Sequence, residues 1–416
     1  MEILQKILDL GASVMMPIII FVIGIIVGMK PIKAIRAGLT VGIGFIGINL
    51  VTGMMGTYMS PIIDGLKEGL KLSLTTMDMG WPVSSGIAFS NGSFVVAMFA
   101  VIIISNILML IFKWTNTLNV DIWNYWHFIM SGSLVYALTG NFIAGCIVGG
   151  LYSIIVLAFA DKHEKRIEEF LGYPGVTITT QSFPIVLYCM IGIDWLLDKV
   201  PGLNKINFSL TKTKSGLSFL TEPMFLGFIL GFVLSIISGL GWEAALTSGV
   251  SMAAVMFILP RMVKILMEGL SPLSGAAQEF MSRKFPGRKI NIGMDMAILL
   301  GDSEVISAAM IMVPITMLLA VVLPGNVLLP FTDLASLTYF MVAPVMAAKR
   351  NSFRTLIYAV ITISIYLLIA SNFAPLFTQV GHASGLIKES IQSVSALSAG
   401  GEWIGWLLTK IAQIFM

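Results

Sequence analysis

His127 is the one histidine of three that falls inside an apolar stretch; His163 sits in the basic string DKHEKR and His382 near the last apolar segments. Asn124 and Asp121 precede it at successive spacings of three residues. On a helix such positions lie about 60° apart, so the trio forms one drifting polar edge. An ionisable side chain inside a membrane span is costly and usually faces a cavity. An edge of this kind can hydrogen-bond a polyhydroxyl solute, and an imidazole can take the proton of an attacking hydroxyl. His127 is therefore the candidate general base, against the alternative of a structural histidine bonded to a neighbouring carbonyl. Trp123, Tyr125, Trp126 and Phe128 flank it. They either stack on the C–H faces of a sugar or mark the membrane interface.

Further polar groups cluster where apolar runs break. Asp78 is followed by a Gly80–Gly86 stretch carrying Ser84 and Ser85, and Asp295 by Gly301, Asp302, Ser303 and Glu304. Thr180 and Gln181 stand in GVTITTQSFP. Non-helical backbone at membrane depth is tolerated only when buried in protein or lining a cavity. The expected substrate-binding set is Asp78, Ser84, Ser85, Asp121, Asn124, His127, Thr180, Gln181, Asp295, Asp302 and Glu304. The segments that carry these residues hold no Lys or Arg, which suits an uncharged polyol. The adjacent acids Asp302 and Glu304 could instead hold a proton or cation, as in an ion-coupled secondary transporter. Asp333, before an apolar run, is expected to cap the helix that follows. Cys146 and Cys189 lie far apart in apolar runs, so no metal site, disulfide or cofactor is expected.

The elements that must position these groups belong to a bilayer. Of 416 residues 57% are hydrophobic and 11% charged, against about 25% charged in a soluble domain. The net charge of +3 is spread over loops, which argues against nucleic acid. The N-terminal MEILQKILDLGAS has no small-residue cleavage site, so it reads as a short amphipathic helix leading into the first span.

The chain also repeats itself. A unit beginning at Pro17 and one beginning at Pro223 share a Gly-rich apolar hairpin, an (E/D)GL string and a later MDM. Interrupted apolar segments at matching positions of duplicated halves point to a transporter whose site lies where the halves meet. Five apolar spans are readable in each half. Lys30, Lys33, Arg36, Lys113, Lys162, Lys165 and Arg166 mark cytoplasmic loops of the first half, which places the N-terminus outside. The basic loops shift by one span in the second half, to Arg261–Lys289 and Lys349–Arg354, so the expected fold is all-α and polytopic with two inverted-topology repeats of about five spans and paired re-entrant hairpins. The expected boundaries are a first repeat over 1–166, a connecting re-entrant element and loop over 167–220, a second repeat over 221–372 and a C-terminal segment over 373–416.

The string NVDIWNYWH at 119–127 resembles a signature of the galactitol-type enzyme IIC permeases of the bacterial phosphotransferase system. Similar strings are DMGWP at 78–82 with Ser84–Ser85, Asp295 with Leu299–Gly301, and PGN at 324–326 running through LPF at 329–331 to DLA at 333–335. The likeness covers nearly the whole chain. It implies a fold shared with the ascorbate permeases, a homodimer in the bacterial inner membrane, and a polyol or sugar substrate such as galactitol. It also implies phosphorylation by a separate enzyme IIB bearing a phosphocysteine, with IIA upstream, so the chain would carry no phosphorylated residue of its own. Some relatives place a histidine where this chain has Thr179, Thr180 and Gln181. Relatives also continue past Trp406–Leu408 into a further span, whereas the sequence here stops at Met416.

Overall fold

A computed structural model describes residues 12–26, 28–70, 74–119, 121–172, 174–202, 206, 222–284, 290–300 and 302–414. The expected N-terminal amphipathic helix lies outside them, as do Arg288, Lys289 and most of the loop before residue 222. The first described half runs α1 (Ala12–Ile26), α2 (Pro31–Leu70), β1 (Thr76–Asp78), α3 (Gly80–Ser90), α4 (Gly92–Ile111), β2 (Thr117–Asn119), α5 (Tyr125–Thr139), α6 (Phe142–Ala160), α7 (Glu164–Leu171), β3 (Val176–Ile178) and α8 (Phe183–Leu197). The second runs α9 (Pro223–Ile237), α10 (Trp242–Lys284), β4 (Asn291–Met294), α11 (Ser303–Val322), β5 (Leu328–Leu329), α12 (Leu337–Ala347), α13 (Ser352–Ala383), β6 (Val394–Ser395), α14 (Leu397–Gly400) and α15 (Trp403–Ile414).

The chain is a multi-pass membrane protein: among the described residues six helices are long and apolar enough to cross a bilayer. The ten expected spans all fall on helices, but α2 and α10 run on for 40 and 43 residues. At 1.5 Å per residue each is roughly 60 Å long, twice a hydrocarbon core. They pack along each other and against α1 and α9. Small residues allow the approach: a side chain at Gly38 would strike the Pro17 carbonyl oxygen at 2.5 Å, and one at Gly269 the Ala37 carbonyl oxygen at 2.7 Å. Packing of this kind takes the place of a hydrophobic driving force between helices in lipid.

Two short parallel sheets were not legible in the apolar pattern. β1 lies between β5 and β6, and β4 between β2 and β3. They satisfy the backbone where the helices break. Thr76 N donates to Val327 O at 3.0 Å and Met77 N to Ser393 O at 3.0 Å, while Thr179 N donates to Met294 O at 3.2 Å. An unpaired amide at this depth would cost several kcal/mol. The expected break at Gly80–Gly86 therefore sits earlier. β1 carries it, Gly80 turns at φ 69°, and the backbone is helical from there to Ser90. Ser84 and Ser85 spend their hydroxyls inside that helix, on Gly80 O and Pro82 O, both at 2.7 Å.

Candidate functional site

A cavity opens where the ends of β4, the turn before α5 and the turn after β3 converge. Trp81, Trp123, Asn124, His127, Gln181 and Asp295 are among its lining residues. Space open to water centres is about 50 Å³, enough for several waters at 10–15 Å³ each. Its walls are aromatic with a few polar groups, the usual make-up of a small-molecule pocket. Trp81 meets Trp123 edge-on at 6.3 Å and Tyr339 at 6.4 Å between ring centroids. Trp123 and Trp126 are buried, so they belong to this pocket and not to an interfacial belt.

Three segments are stitched together here by side chains named in the sequence. Asn124 Nδ2 donates to Asp121 Oδ2 at 2.8 Å and to Thr180 Oγ1 at 3.2 Å. The same Thr180 oxygen accepts from Met296 N at 2.8 Å. Asp295 turns the chain after β4, its Oδ1 accepting from Ala297 N at 2.8 Å. Gln181 stands at φ 51°, a left-handed conformation that is uncommon outside glycine and usually has a functional reason. Two buried polar atoms of the lining residues have no hydrogen-bond partner among the described residues: Trp126 Nε1 and His127 Nδ1. Such atoms normally find one.

The remaining expected site residues are placed elsewhere. Asp78 and Asp333 form a fully buried lock beside the cavity. Asp78 accepts from Gly80 N at 3.0 Å, Asp333 N at 2.8 Å and Leu397 N at 3.2 Å. Asp333 accepts from Trp81 N at 2.9 Å and Ser398 N at 2.8 Å. Asp333 therefore does not cap the helix that follows it, as the sequence suggested; it ties α3 to α14. Asp302 does cap its helix, accepting from Glu304 N at 3.0 Å, and its other oxygen meets Arg350 Nη2 at 2.8 Å. Glu304 accepts from Ser352 Oγ at 2.8 Å. Neither lines the cavity.

Sequence reasoning missed Glu402. It is buried, accepts from the Tyr152 hydroxyl and from Ser182 Oγ, and lies behind His127. The available signal was one acid in the apolar string AGGEWIGW, within the C-terminal segment.

Comparison with known proteins gives the family. Residues 6–389 match the sequence model of a family described as the sugar-specific permease component of the phosphotransferase system, EIIC-GAT. The chain belongs to that family. It is 36% identical over 410 residues to the galactitol-specific EIIC component of Escherichia coli K12, a match covering 99% of this chain and 90% of the relative. The O157:H7 strain's galactitol-specific EIIC component matches equally. A putative permease IIC component of E. coli K12 is 34% identical over 412 residues, covering 98% of this chain and 93% of the relative. The permease is thus a subunit of a sugar phosphotransferase system, a multi-pass protein of the inner membrane.

Proposed function

We propose that the permease binds galactitol or a closely similar polyol in this cavity and moves it inward with phosphorylation by a separate enzyme IIB. One observation carries the reading: the cavity has neutral amide, hydroxyl and carboxylate groups set among aromatic faces, with no Lys or Arg among its described lining residues. A polyol offers many hydroxyls and no charge, so it needs acceptors, donors and C–H stacking surfaces rather than cations. Asn124, Thr180, Gln181 and Asp295 bind the hydroxyls, Asp121 holds Asn124 in place, and Trp81 and Trp123 take the carbon chain. The relatives named for galactitol support that choice of substrate.

In the phosphoryl step the bound hydroxyl oxygen attacks the phosphorus of a phosphocysteine on IIB. The O–P bond forms, the S–P bond breaks, and the thiolate stays on IIB. The hydroxyl proton passes to His127.

The alternation of access has support in the strand exchange. Each half supplies the central strand of a sheet whose flanking strands come from the other half. Each central strand runs into an MDM string: β1 ends at its aspartate, Asp78, and β4 ends one residue before its aspartate, Asp295. Two inverted repeats related by a pseudo-two-fold axis produce that reciprocity, and such axes pass through transporter sites. The paired hairpins that approach the sheets are read as re-entrant, and the working unit as a homodimer.

Uptake should survive collapse of the proton gradient while phosphoenolpyruvate and the IIA and IIB proteins are supplied. Loss of uptake with an uncoupler under those conditions would favour an ion-coupled transporter.

A further inference from the structure

Glu402 has one oxygen committed and one open. Its Oε2 accepts from the Tyr152 hydroxyl and from Ser182 Oγ at 2.6 Å. Its Oε1 is buried with no hydrogen-bond partner, and so is His127 Nδ1. These two atoms face each other at 3.9 Å. A buried polar atom left unpaired is unfavourable, so two complementary ones in one wall define a contact. Closing the gap to about 2.9 Å satisfies both.

Hydrogen-bond donors and a helix end surround the Glu402 carboxyl. Two hydroxyls donate to it, and it sits at the start of α15, where its own carbonyl accepts from Trp406 N at 2.9 Å. The N-terminal end of a helix attracts negative charge. α15 is also seated firmly on the helix that carries His127. A side chain at Gly405 would meet Ser131 Oγ at 2.4 Å, and Ser131 is one turn beyond His127. Ser182 links the same acid to the turn after Gln181, since it also accepts from Ile404 N at 3.3 Å.

We propose that Glu402 is the positioning residue of His127, accepting Nδ1–H so that the imidazole is held in the tautomer whose Nε2 is free to take the substrate proton. When Nε2 is protonated, the resulting imidazolium lies against a carboxylate and the pair stays neutral overall. The proposal rests on His127 being the proton acceptor of the phosphoryl step, and its test separates the two.

The test uses full-length permease in bilayers with ¹⁵N-labelled histidine, and His127 is assigned by its loss in His127→Gln. Solid-state NMR should find Nδ1 protonated in the unaltered protein. In Glu402→Gln, Tyr152 and Ser182 hold the amide oxygen, so the NH₂ group faces Nδ1 and should reverse the tautomer. Phosphorylation of galactitol by phosphorylated IIB should fall about 100-fold, the scale of a lost general base, while galactitol binding changes less than about threefold. Glu402→Asp should recover part of the rate. Added to His127→Gln, Glu402→Gln should cost nothing more. An unprotonated Nδ1 in the unaltered protein would overturn the proposal even if Glu402→Gln failed to fold. So would a full multiplicative loss in the double variant. A reversed tautomer with unchanged phosphorylation in His127→Gln would leave the Glu402 contact standing and remove the proton-acceptor reading.

Discussion

Single residues set affinity and rate by different routes. Asn124 and Gln181 line the cavity, and in the proposed function they serve binding: each polar partner lost from a closed pocket leaves its counterpart unpaired at about 1–3 kcal/mol. Asn124→Ala and Gln181→Ala should each weaken galactitol binding roughly 10- to 100-fold, read by equilibrium binding to membranes. Gln181 allows a sharper test, because its φ of 51° is strained for a side chain. Gln181→Gly should match Gln181→Ala in lost affinity yet melt no lower than the unaltered protein, since glycine adopts that conformation freely. A lower melting temperature for the glycine variant would mean that the amide is structural. His127 and Asn124 were legible as cavity residues because a polar residue in an apolar span has few uses, and Thr180 because it stands where Gly and Pro break the apolar pattern. Gln181 was legible as a site residue, but its backbone strain was not, since no glycine or asparagine announces it. Glu402 was hidden because its partners, Tyr152 and Ser182, are 250 and 220 residues away in the chain.

At the scale of elements, the two sheets hold the broken segments and the aspartate lock aligns them. Asp333 accepts backbone N–H groups from two different elements in a fully buried setting. Asn at this position would turn an NH₂ group toward one of those donors and leave both unpaired. Asp333→Asn should therefore lower the melting temperature and the folded yield, by about 1–3 kcal/mol for each unpaired donor. Asp302→Asn should cost far less. Asparagine caps a helix as well as aspartate does, and the ion pair it breaks is to an Arg350 side chain 46% exposed, a setting worth about 0–1 kcal/mol. Equal destabilisation by the two substitutions, measured by thermal unfolding in detergent, would contradict the lock. The helices themselves were readable from apolar run length, Pro and Gly. The strands were not, because pieces of two to four residues leave no alternating pattern, and their partners come from the opposite half of the chain. The same distance explains why Asp333 read as a cap: a helix start is a local signal, and α14 lies some 65 residues on.

For the whole molecule, the claim is that two inverted halves enclose one polyol site and pass its cargo to a cytoplasmic phosphoryl donor. Orientation can be checked at exposed positions. In a background lacking Cys146 and Cys189, cysteines at Lys113 and Lys349 should resist an impermeant thiol reagent in intact cells, whereas one at Glu243 should react. Reaction of only one of 113 and 349 from outside would undo the inverted arrangement. The central claim meets its most direct test in sealed membranes that contain the permease, labelled galactitol and purified IIB. Galactitol phosphate should appear inside the vesicles only when IIB is phosphorylated, with no dependence on an ion gradient. Accumulation of unmodified galactitol, driven by a proton or sodium gradient and indifferent to IIB, would contradict it.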